Sequence, residues 1–404
     1  MPRKRTISER ILAWHAGRDP ERLQRKNKLL RRDALGFLRG TAFLFWQDWR
    51  GGLLDRAPAA WCCGDLHTEN FGSFRGFNRL VYFDMTDFDE ACLAPASWDL
   101  ARMLASVRVW ARVTERSDAD ESALARVCLE SYAGALRSGR AMWVERATAF
   151  GPVRELLRSA GVRKAQSLIE ERATLGRQPR LRLMRRKALE ATAADCERIG
   201  AHLGEWLAAR LPGASAGAPE VLDVARRVAG NGSLGIERYV ALVRQAGDDP
   251  LMLVDVKLAA PSAAVSRSPF VQPAWRNEAE RVVAVQQIMQ AASPAFLGAM
   301  VIGRHAYVVR MLQPSENRLD MRTACTTAAV AEELLGLLGQ LLAWNQLRAS
   351  GRAGAAVADD LIAWGHERAW RARMHDQAAV LADRVIAAWA SYRASGVRLG
   401  ERDA

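Results

Sequence analysis

Asp65, Asn70 and Asp87 are the residues whose types and spacing suit a reaction. They stand in Gly64-Asp65-Leu66-His67-Thr68-Glu69-Asn70 and in Asp87-Phe88-Asp89, with Asp99-Leu100-Ala101 following. Metal-assisted phosphoryl transfer needs one carboxylate to take or orient the proton of an acceptor hydroxyl, while an amide oxygen and another carboxylate hold magnesium against a triphosphate. On that reading Asp65 is the base, and Asn70 and Asp87 are the Mg2+ ligands. Each also suits a turn or a helix cap, which Asp and Asn favour on their own account; the joint spacing is what points to chemistry. His67 reads as a hydrogen bonder that organises the loop. Asp89 and Glu90 read as acidic neighbours, either solvated or within reach of a second metal.

The elements that must position these residues follow from pattern. Trp61-Cys62-Cys63 is a small apolar run ending at Gly64, so Asp65 to Asn70 is expected on a tight loop. Leu80-Val81-Tyr82-Phe83 is short, β-branched and aromatic, and predicts a strand that delivers Asp84 and Asp87 to its end. Leu100, Met103, Leu104 and Val107 recur at helical spacing, with Ser97 or Asp99 placed to cap. Upstream, Phe37, Phe43, Phe45, Trp46 and Trp49 predict an N-terminal helical layer. From 100 to about 211 the pattern is helical almost throughout, with breaks at Gly151-Pro152, Gly176 and Gln178-Pro179, and Pro212 to Pro219 is the clearest linker.

Beyond the linker the texture changes to strands. Gly230-Asn231-Gly232-Ser233-Leu234-Gly235 is a glycine loop of a kind that is weak evidence alone. Val221 to Val228 and Ile236 to Arg244 read as strands on either side, Gly247-Asp248-Asp249-Pro250 as a turn, and Leu251 to Leu258 as a further strand. A dinucleotide-binding unit would place a helix after the glycines, and a Walker loop would carry Gly-Lys-Ser/Thr; a kinase-type glycine hairpin fits instead. Gly230, Gly232, Ser233 and Gly235 are then the nucleotide-binding positions. Lys257, ending the next strand, orients the phosphates; the plainer alternative is an edge-strand lysine that snorkels to water. In the helix expected from Arg276 to Ala292, Glu278, Val282, Val285 and Met289 share a face, which gives Glu278 as the partner of Lys257 and Glu280 as second choice. Met311-Leu312-Gln313-Pro314, after a strand at Tyr307 to Arg310, is where adenine is expected.

The Gly-Asp-x-His-x-x-Asn loop, with Asp-Phe-Asp and Asp-Leu-Ala after it, resembles the catalytic core of aminoglycoside phosphotransferases and their protein-kinase-like relatives. More of the chain is similar to an uncharacterised bacterial family, domain of unknown function 2252, at Phe37 to Gly40, Cys63 to Gly72, Phe83 to Glu90, Trp98 to Leu100, Gly230 to Gly235, Lys257 and Arg281 to Ser293. The first resemblance implies ATP and magnesium; the second implies no substrate. Where that family carries a histidine-containing Ala-His-Ala-Arg-like run, this chain has Asn345-Gln346-Leu347-Arg348. Kinases place the glycine loop and lysine before the catalytic loop, whereas here they follow it. The resemblance therefore implies a circular permutation, which is sterically open to chains whose termini lie together at a surface.

Composition bounds the rest. The chain has 404 residues, half of them hydrophobic and a quarter charged, enough for two or three packed units without staples. Its six cysteines show neither metal nor disulfide spacing, and no apolar signal-peptide core precedes Arg39, so a reduced, cytoplasmic setting is expected. The uncharged run Ala284 to Gly303 contains Gln286, Gln287, Gln290, Ser293 and Pro294, which argues against a membrane span. A net charge of +13 leaves nucleic acid, anionic lipid or an acidic substrate open as partners. The dense cluster Arg180, Arg182, Arg185, Arg186 and Lys187 reads as a solvated helix face, because no aromatic residues interleave it.

The fold expected is therefore α+β, protein-kinase-like, two-lobed and circularly permuted, with a predominantly helical catalytic lobe and a small antiparallel β nucleotide lobe. Residues 1–60 form an N-terminal helical segment packed on the catalytic lobe, 61–215 the catalytic lobe with its metal loop, 216–314 the nucleotide lobe, and 315–404 helices completing the catalytic lobe. The function expected is ATP- and Mg2+-dependent phosphotransfer to an unidentified acceptor hydroxyl. Nucleotidyl (AMP) transfer on the same fold, and non-catalytic nucleotide or nucleic-acid binding, are the alternatives.

Overall fold

A computed structural model of the chain describes residues 5–162, 165–185, 187–210, 219–244, 251–312, 314 and 317–400. The expected linker up to residue 218, the turn expected over 247–250, Arg186 and Gln313 lie outside the described residues.

The N-terminal layer is helical, as the aromatic spacing predicts: α1 (Ile7–His15), α2 (Pro20–Arg32), α3 (Ala34–Gly40) and α4 (Ala42–Gln47). Thr6, Asp19 and Asp33 start the first three by accepting hydrogen bonds from first-turn amides. Trp46 is buried and stacks on Trp98 at 4.7 Å between ring centroids, which fixes this layer against the elements that follow.

Those elements are β1 (Ala59–Cys62), β2 (Phe71–Arg75), β3 (Val81–Met85), β4 (Cys92–Pro95) and α5 (Ser97–Val113). β1 pairs with β4 and β2 with β3, all antiparallel, so the loops at 63–70 and 86–91 run side by side between the two ladders. Neither Ser97 nor Asp99 caps α5. Ser97 Oγ donates to the Leu54 carbonyl at 2.7 Å, and Asp99 turns back onto the first of the two loops.

After α6 (Asp118–Ser138), β5 (Val144–Glu145), α7 (Gly151–Val162) and α8 (Ala165–Arg172), the expected helical texture gives way to β6 (Ala173–Thr174), β7 (Arg180–Leu181) and β8 (Ala188–Leu189), and resumes in α9 (Ala193–Ala208). The described residues of the basic cluster, Arg180, Arg182, Arg185 and Lys187, thus lie in strand, irregular chain and turn, not on a helix face. Gly176 and Pro179 lie in the turn between β6 and β7, where helix cannot continue.

β9 (Glu220–Arg227), β10 (Arg238–Arg244) and β11 (Leu251–Leu258) precede α10 (Glu278–Met289), β12 (Gly298–Ile302) and β13 (His305–Met311). Together with β8 they form a six-stranded antiparallel sheet in the order β12-β13-β11-β10-β9-β8. The two-residue period of a strand sorts its faces. Tyr239, Ala241, Val243, Met252, Val254 and Val256 pack on Ile199, Leu203, Trp206 and Leu207 of α9. Arg238, Val240, Leu242, Leu253, Asp255 and Lys257 alternate with them on the opposite face. α9 and β8 therefore belong with the sheet, and the boundary expected near 215 moves toward residue 188, because the apolar stripe of α9 is buried against strands rather than around the acidic loops.

After α11 (Met321–Ala324), the helices α12 (Ala328–Ala349), α13 (Ala358–His366) and α14 (Ala369–Ala394) return to pack on α5 and α6, and share one core with the N-terminal layer. Among the described residues no helix is long and apolar enough to cross a membrane.

Candidate active site

The first acidic loop is pinned from below. Cys63 and Gly64 donate their backbone N–H groups to the buried Asp99 carboxylate at 2.7 and 3.0 Å, and Trp46 Nε1 donates to the Gly64 carbonyl at 2.7 Å. Burial pushes the Asp99 carboxyl up to about 6, against the pull of those two amides. Gly64 has φ +78°, and a Cβ there would stand 2.0 Å from the Glu90 carbonyl oxygen, so only glycine lets the two acidic loops touch.

Asp65 is presented at the top of this loop. Its Oδ1 accepts from Arg102 Nε at 2.7 Å, and Arg102 Nη2 ion-pairs with the same oxygen. Arg102 is wholly buried, donates to the Leu38 carbonyl at 3.0 Å and lies over the Phe45 ring, so it cannot swing away. Burial raises the Asp65 carboxyl to about 7, with Arg102 opposing the rise. Oδ2 faces the glycine loop, 3.9 Å from where a Cβ on Gly232 would be. A carboxylate held by one oxygen, with the other turned into a cleft and an affinity for protons near neutrality, has the attributes of a general base.

Asn70 ties the two acidic loops together. Its Nδ2 donates to the Asp65 and Asp87 carbonyls at 3.3 and 3.2 Å; its Oδ1 accepts from Asp87 N at 2.9 Å and, weakly, from Thr86 Oγ1 at 3.5 Å. His67 accepts from Glu69 N through Nδ1, and burial, with Arg39, Arg102 and Arg318 nearby, holds its imidazole well below the usual range. It is the loop organiser that the sequence suggests.

Lys257 reaches these loops from β11. Its ammonium donates to Asp89 and stands 3.8 Å from Asp87 Oδ1. Burial favours the neutral form of Asp87, but Lys257 first, then Arg310, Arg318 and Arg238, outweigh it and hold the carboxyl below its usual range. The Asp87 side chain is 47 % exposed and Asp89 34 % exposed. Two carboxylates and an amide oxygen at a cleft wall are hard oxygen donors of the type magnesium takes, with waters and phosphates completing the shell. Among the described residues no three His, Cys, Asp or Glu side chains form a ready-made metal cage.

Glu278 does not pair with Lys257. It accepts from Arg281 Nε at 2.7 Å on its own helix, and Glu280 is taken by Arg276. Val282, Val285 and Met289 of the expected face are buried, but the buried cation of α10 is Arg281 and Glu278 is partly exposed. It is buried and donates to the Ala91, Asp89 and Ala260 carbonyls at 2.6, 2.8 and 3.3 Å, bracing the second acidic loop. Gln290 of the matched stretch braces β3 in the same way, donating to the Met85 carbonyl. Asp84, expected near the site, is buried beneath it and accepts from Asn345 Nδ2 at 2.7 Å, so the Asn345-Gln346 departure serves packing.

The glycine loop joins the antiparallel strands β9 and β10, as a hairpin should. Gly230 and Gly235 have φ of +81° and +91°. The loop is held by the N-terminal layer: Lys26 Nζ donates to the Gly232 carbonyl at 2.6 Å, Asn231 Nδ2 to the Gly36 carbonyl at 2.8 Å, and Arg22 to the Ile236 carbonyl at 2.8 Å. A Cβ on Gly40 would lie 3.3 Å from Asn231 Oδ1, which gives the Phe37-to-Gly40 motif a purpose: it seats this loop. Arg39 ion-pairs with Glu69 alongside. The described part of the N-terminal segment, residues 5–60, thus bridges both halves instead of packing on one.

Asp65, Asn70, Asp87, Asp89, Gly230, Gly232 and Ser233 line one cleft. Thr86, Gly230 and Arg318 also line a neighbouring cavity of about 390 Å3, along which Leu312 and Pro314 of the expected adenine connection run. Sequence reasoning assigns no role to Arg102, Lys26 or Arg281, although Arg281 opens one of the stretches similar to the family.

No curated protein and no solved structure matches the chain. A family model described as an uncharacterized protein conserved in bacteria (DUF2252) matches residues 18–395, a span that takes in both acidic loops, the glycine hairpin and Lys257, and the chain belongs to that family.

Proposed function

We propose that this chain is an ATP- and magnesium-dependent phosphotransferase with a kinase-like, circularly permuted arrangement. The observation that supports it is the meeting of Lys257 with Asp87 and Asp89, next to a glycine hairpin that faces Asp65. Gly230, Gly232, Ser233 and Gly235 would cover the phosphates with backbone amides and Lys257 would orient them. Asn70 and Asp87 would hold magnesium, Asn70 by exchanging its weak contact with Thr86. Magnesium, when bound, supplies neutralisation of charge on the phosphate oxygens. Asp65 takes the acceptor proton at Oδ2, and Arg102 fixes the orientation of that carboxylate through Oδ1. The acceptor hydroxyl must enter between Asp65 and the glycine loop, a passage bordered by Arg39 and Glu69.

The test is incubation of the full chain with γ-labelled ATP and magnesium, against cell extract and against itself. Label transfer or hydrolysis that disappears in Asp65→Asn and Asp87→Asn supports the reading. Neither transfer nor hydrolysis with any divalent metal overturns it. Nucleotidyl transfer is the second reading, and the cationic wall of the adjoining cavity favours it.

A further inference from the structure

The cavity beside the metal cleft gathers positive charge, of which Lys187 and Arg172 are paired with Glu171 at 2.7 and 3.4 Å. Eight arginine and lysine side chains line it, and among the described lining residues there is no Asp or Glu. Three of them converge on the single buried carboxylate of Asp255: Arg227 Nη1 at 2.7 Å, Arg238 through Nε at 2.7 Å and through Nη2, and Arg310 at 3.7 Å. Three guanidinium groups on one carboxylate leave two charges over. Burial and the neighbouring Arg238 accordingly push Arg227 down to about 9. Arg182 and Lys187, from the cluster that reads as a solvated face in sequence, stand on the rim of the same cavity.

The cavity also carries apolar side chains, Phe74, Leu181, Val240 and Leu312 among them, of the kind a purine slot uses. Guanidinium forks match the oxygens of phosphate, bidentately and with charge. Thr86, Gly230 and Arg318 line both the cavity and the Asp87 cleft, so the two are immediate neighbours and a phosphate here and another at Lys257 can belong to one reacting assembly.

We propose that this arginine-lined cavity is a second phosphate site, distinct from the position that Lys257 faces. The proposal rests on the nucleotide reading of the cleft. Two sources share the chemistry. In one, the nucleotide lies reversed and its β and γ phosphates fill the cavity. The acceptor oxygen then bonds to the α phosphorus, its proton passes to Asp65, the bond from that phosphorus to the bridging oxygen breaks, and pyrophosphate leaves. In the other, the acceptor itself carries the phosphate. Its hydroxyl oxygen then bonds to the γ phosphorus, the proton again passes to Asp65, the bond from the γ phosphorus to the oxygen bridging it to the β phosphorus breaks, and ADP leaves with that oxygen.

Titration calorimetry of the full chain with inorganic pyrophosphate, without metal, separates the site from the reaction. Arg182→Gln with Arg227→Gln is expected to weaken pyrophosphate binding by about tenfold or more, while Asp65→Asn and Asp87→Asn leave it equal or tighter. Arg182 donates outside the Asp255 cluster, to the Ala173 carbonyl at 3.0 Å, so Arg182→Gln alone keeps the test valid if the double variant unfolds, with an expected loss of about threefold. No pyrophosphate binding by the wild type, or equal affinity in the folded arginine variants, overturns the proposal. Label from α-labelled ATP on product assigns the cavity to the nucleotide, and label only from γ-labelled ATP assigns it to the acceptor. Arginine-dependent pyrophosphate binding without transfer of either label leaves this site standing and removes the proposed function.

Discussion

The Lys257 ammonium stands 3.8 Å from the Asp87 carboxylate, and it is hydrogen-bonded to Asp89, 168 residues earlier in the chain. Lys257 is also the first of the charges that keep Asp87 ionised. Replacing it leaves two adjacent carboxylates facing each other and removes the cation that phosphates would meet. Lys257→Met is expected to lower γ-phosphoryl transfer by about a hundredfold or more, with an unchanged far-ultraviolet dichroism spectrum. A folded variant within about threefold of wild type would remove Lys257 from the machinery.

Asp65 makes the pH dependence directional. A base works ionised, and burial raises this carboxyl to about 7, so kcat/KM should climb with pH and level off above that value. Removing the opposing charge with Arg102→Met should move the rise to higher pH. Stability carries the opposite sign. Between the usual carboxylate range and about 7 the folded state holds the proton that the unfolded state releases, so this group makes stability fall as pH rises across that window. A rate profile flat from about pH 5 to 8 would remove Asp65 as the base.

Glu278 and Arg281, three residues apart on α10, give a discriminating pair. Glu278 pairs with Arg281 on its own helix and is 39 % exposed, so Glu278→Ala should change transfer by less than about twofold. Arg281→Met strands three carbonyls on the Asp89 side of the site and should lower transfer by about tenfold or more. A steady-state comparison of the two folded variants decides it, and a larger loss in Glu278→Ala would restore the carboxylate to the Lys257 side.

The parts legible in the sequence were those whose signal is local. The strand over Leu251 to Leu258, the helical N-terminal aromatics and the glycine hairpin all follow from period and turn residues, and the structure holds them where pattern placed them. What stayed hidden depends on which distant element faces which. Asp99 reads as a cap by position, yet its carboxylate satisfies two amides of a loop some 35 residues upstream. The 180–187 cluster reads as a solvated face because composition alone carries no information about the cavity it borders. Glu278 has a partner other than Lys257, because Arg281 one turn on competes for it at shorter reach than any strand.

Asp99 should dominate the stability of the site. Asp99→Ala would leave the buried N–H groups of Cys63 and Gly64 without an acceptor, at a cost of about 2–5 kcal/mol. Asp99→Asn keeps one acceptor oxygen and should lose about half as much. Urea midpoints at constant slope measure both. Equal stability of Asp99→Ala and wild type would mean that other groups hold the Asp65 loop.

Lys26 connects stability to the glycine loop. It is 1 % exposed, its ammonium donates to the Gly232 carbonyl at 2.6 Å, and burial holds it well below its usual range, with Asp65 and Glu90 only partly offsetting. The unfolded state therefore binds a proton that the folded state resists, and stability from this residue rises with pH up to the ordinary lysine range near 10.5. Met fills similar volume without a charge, so Lys26→Met should be at least as stable as wild type near neutrality, with the difference shrinking as pH rises. The same substitution releases the Gly232 carbonyl, which lies on an exposed residue and can turn to water. Hydrogen exchange at 231–235 should accelerate while α2 stays protected. A variant that is destabilised at neutral pH, with exchange in the loop unchanged, would show that Lys26 supports the layer and not the loop.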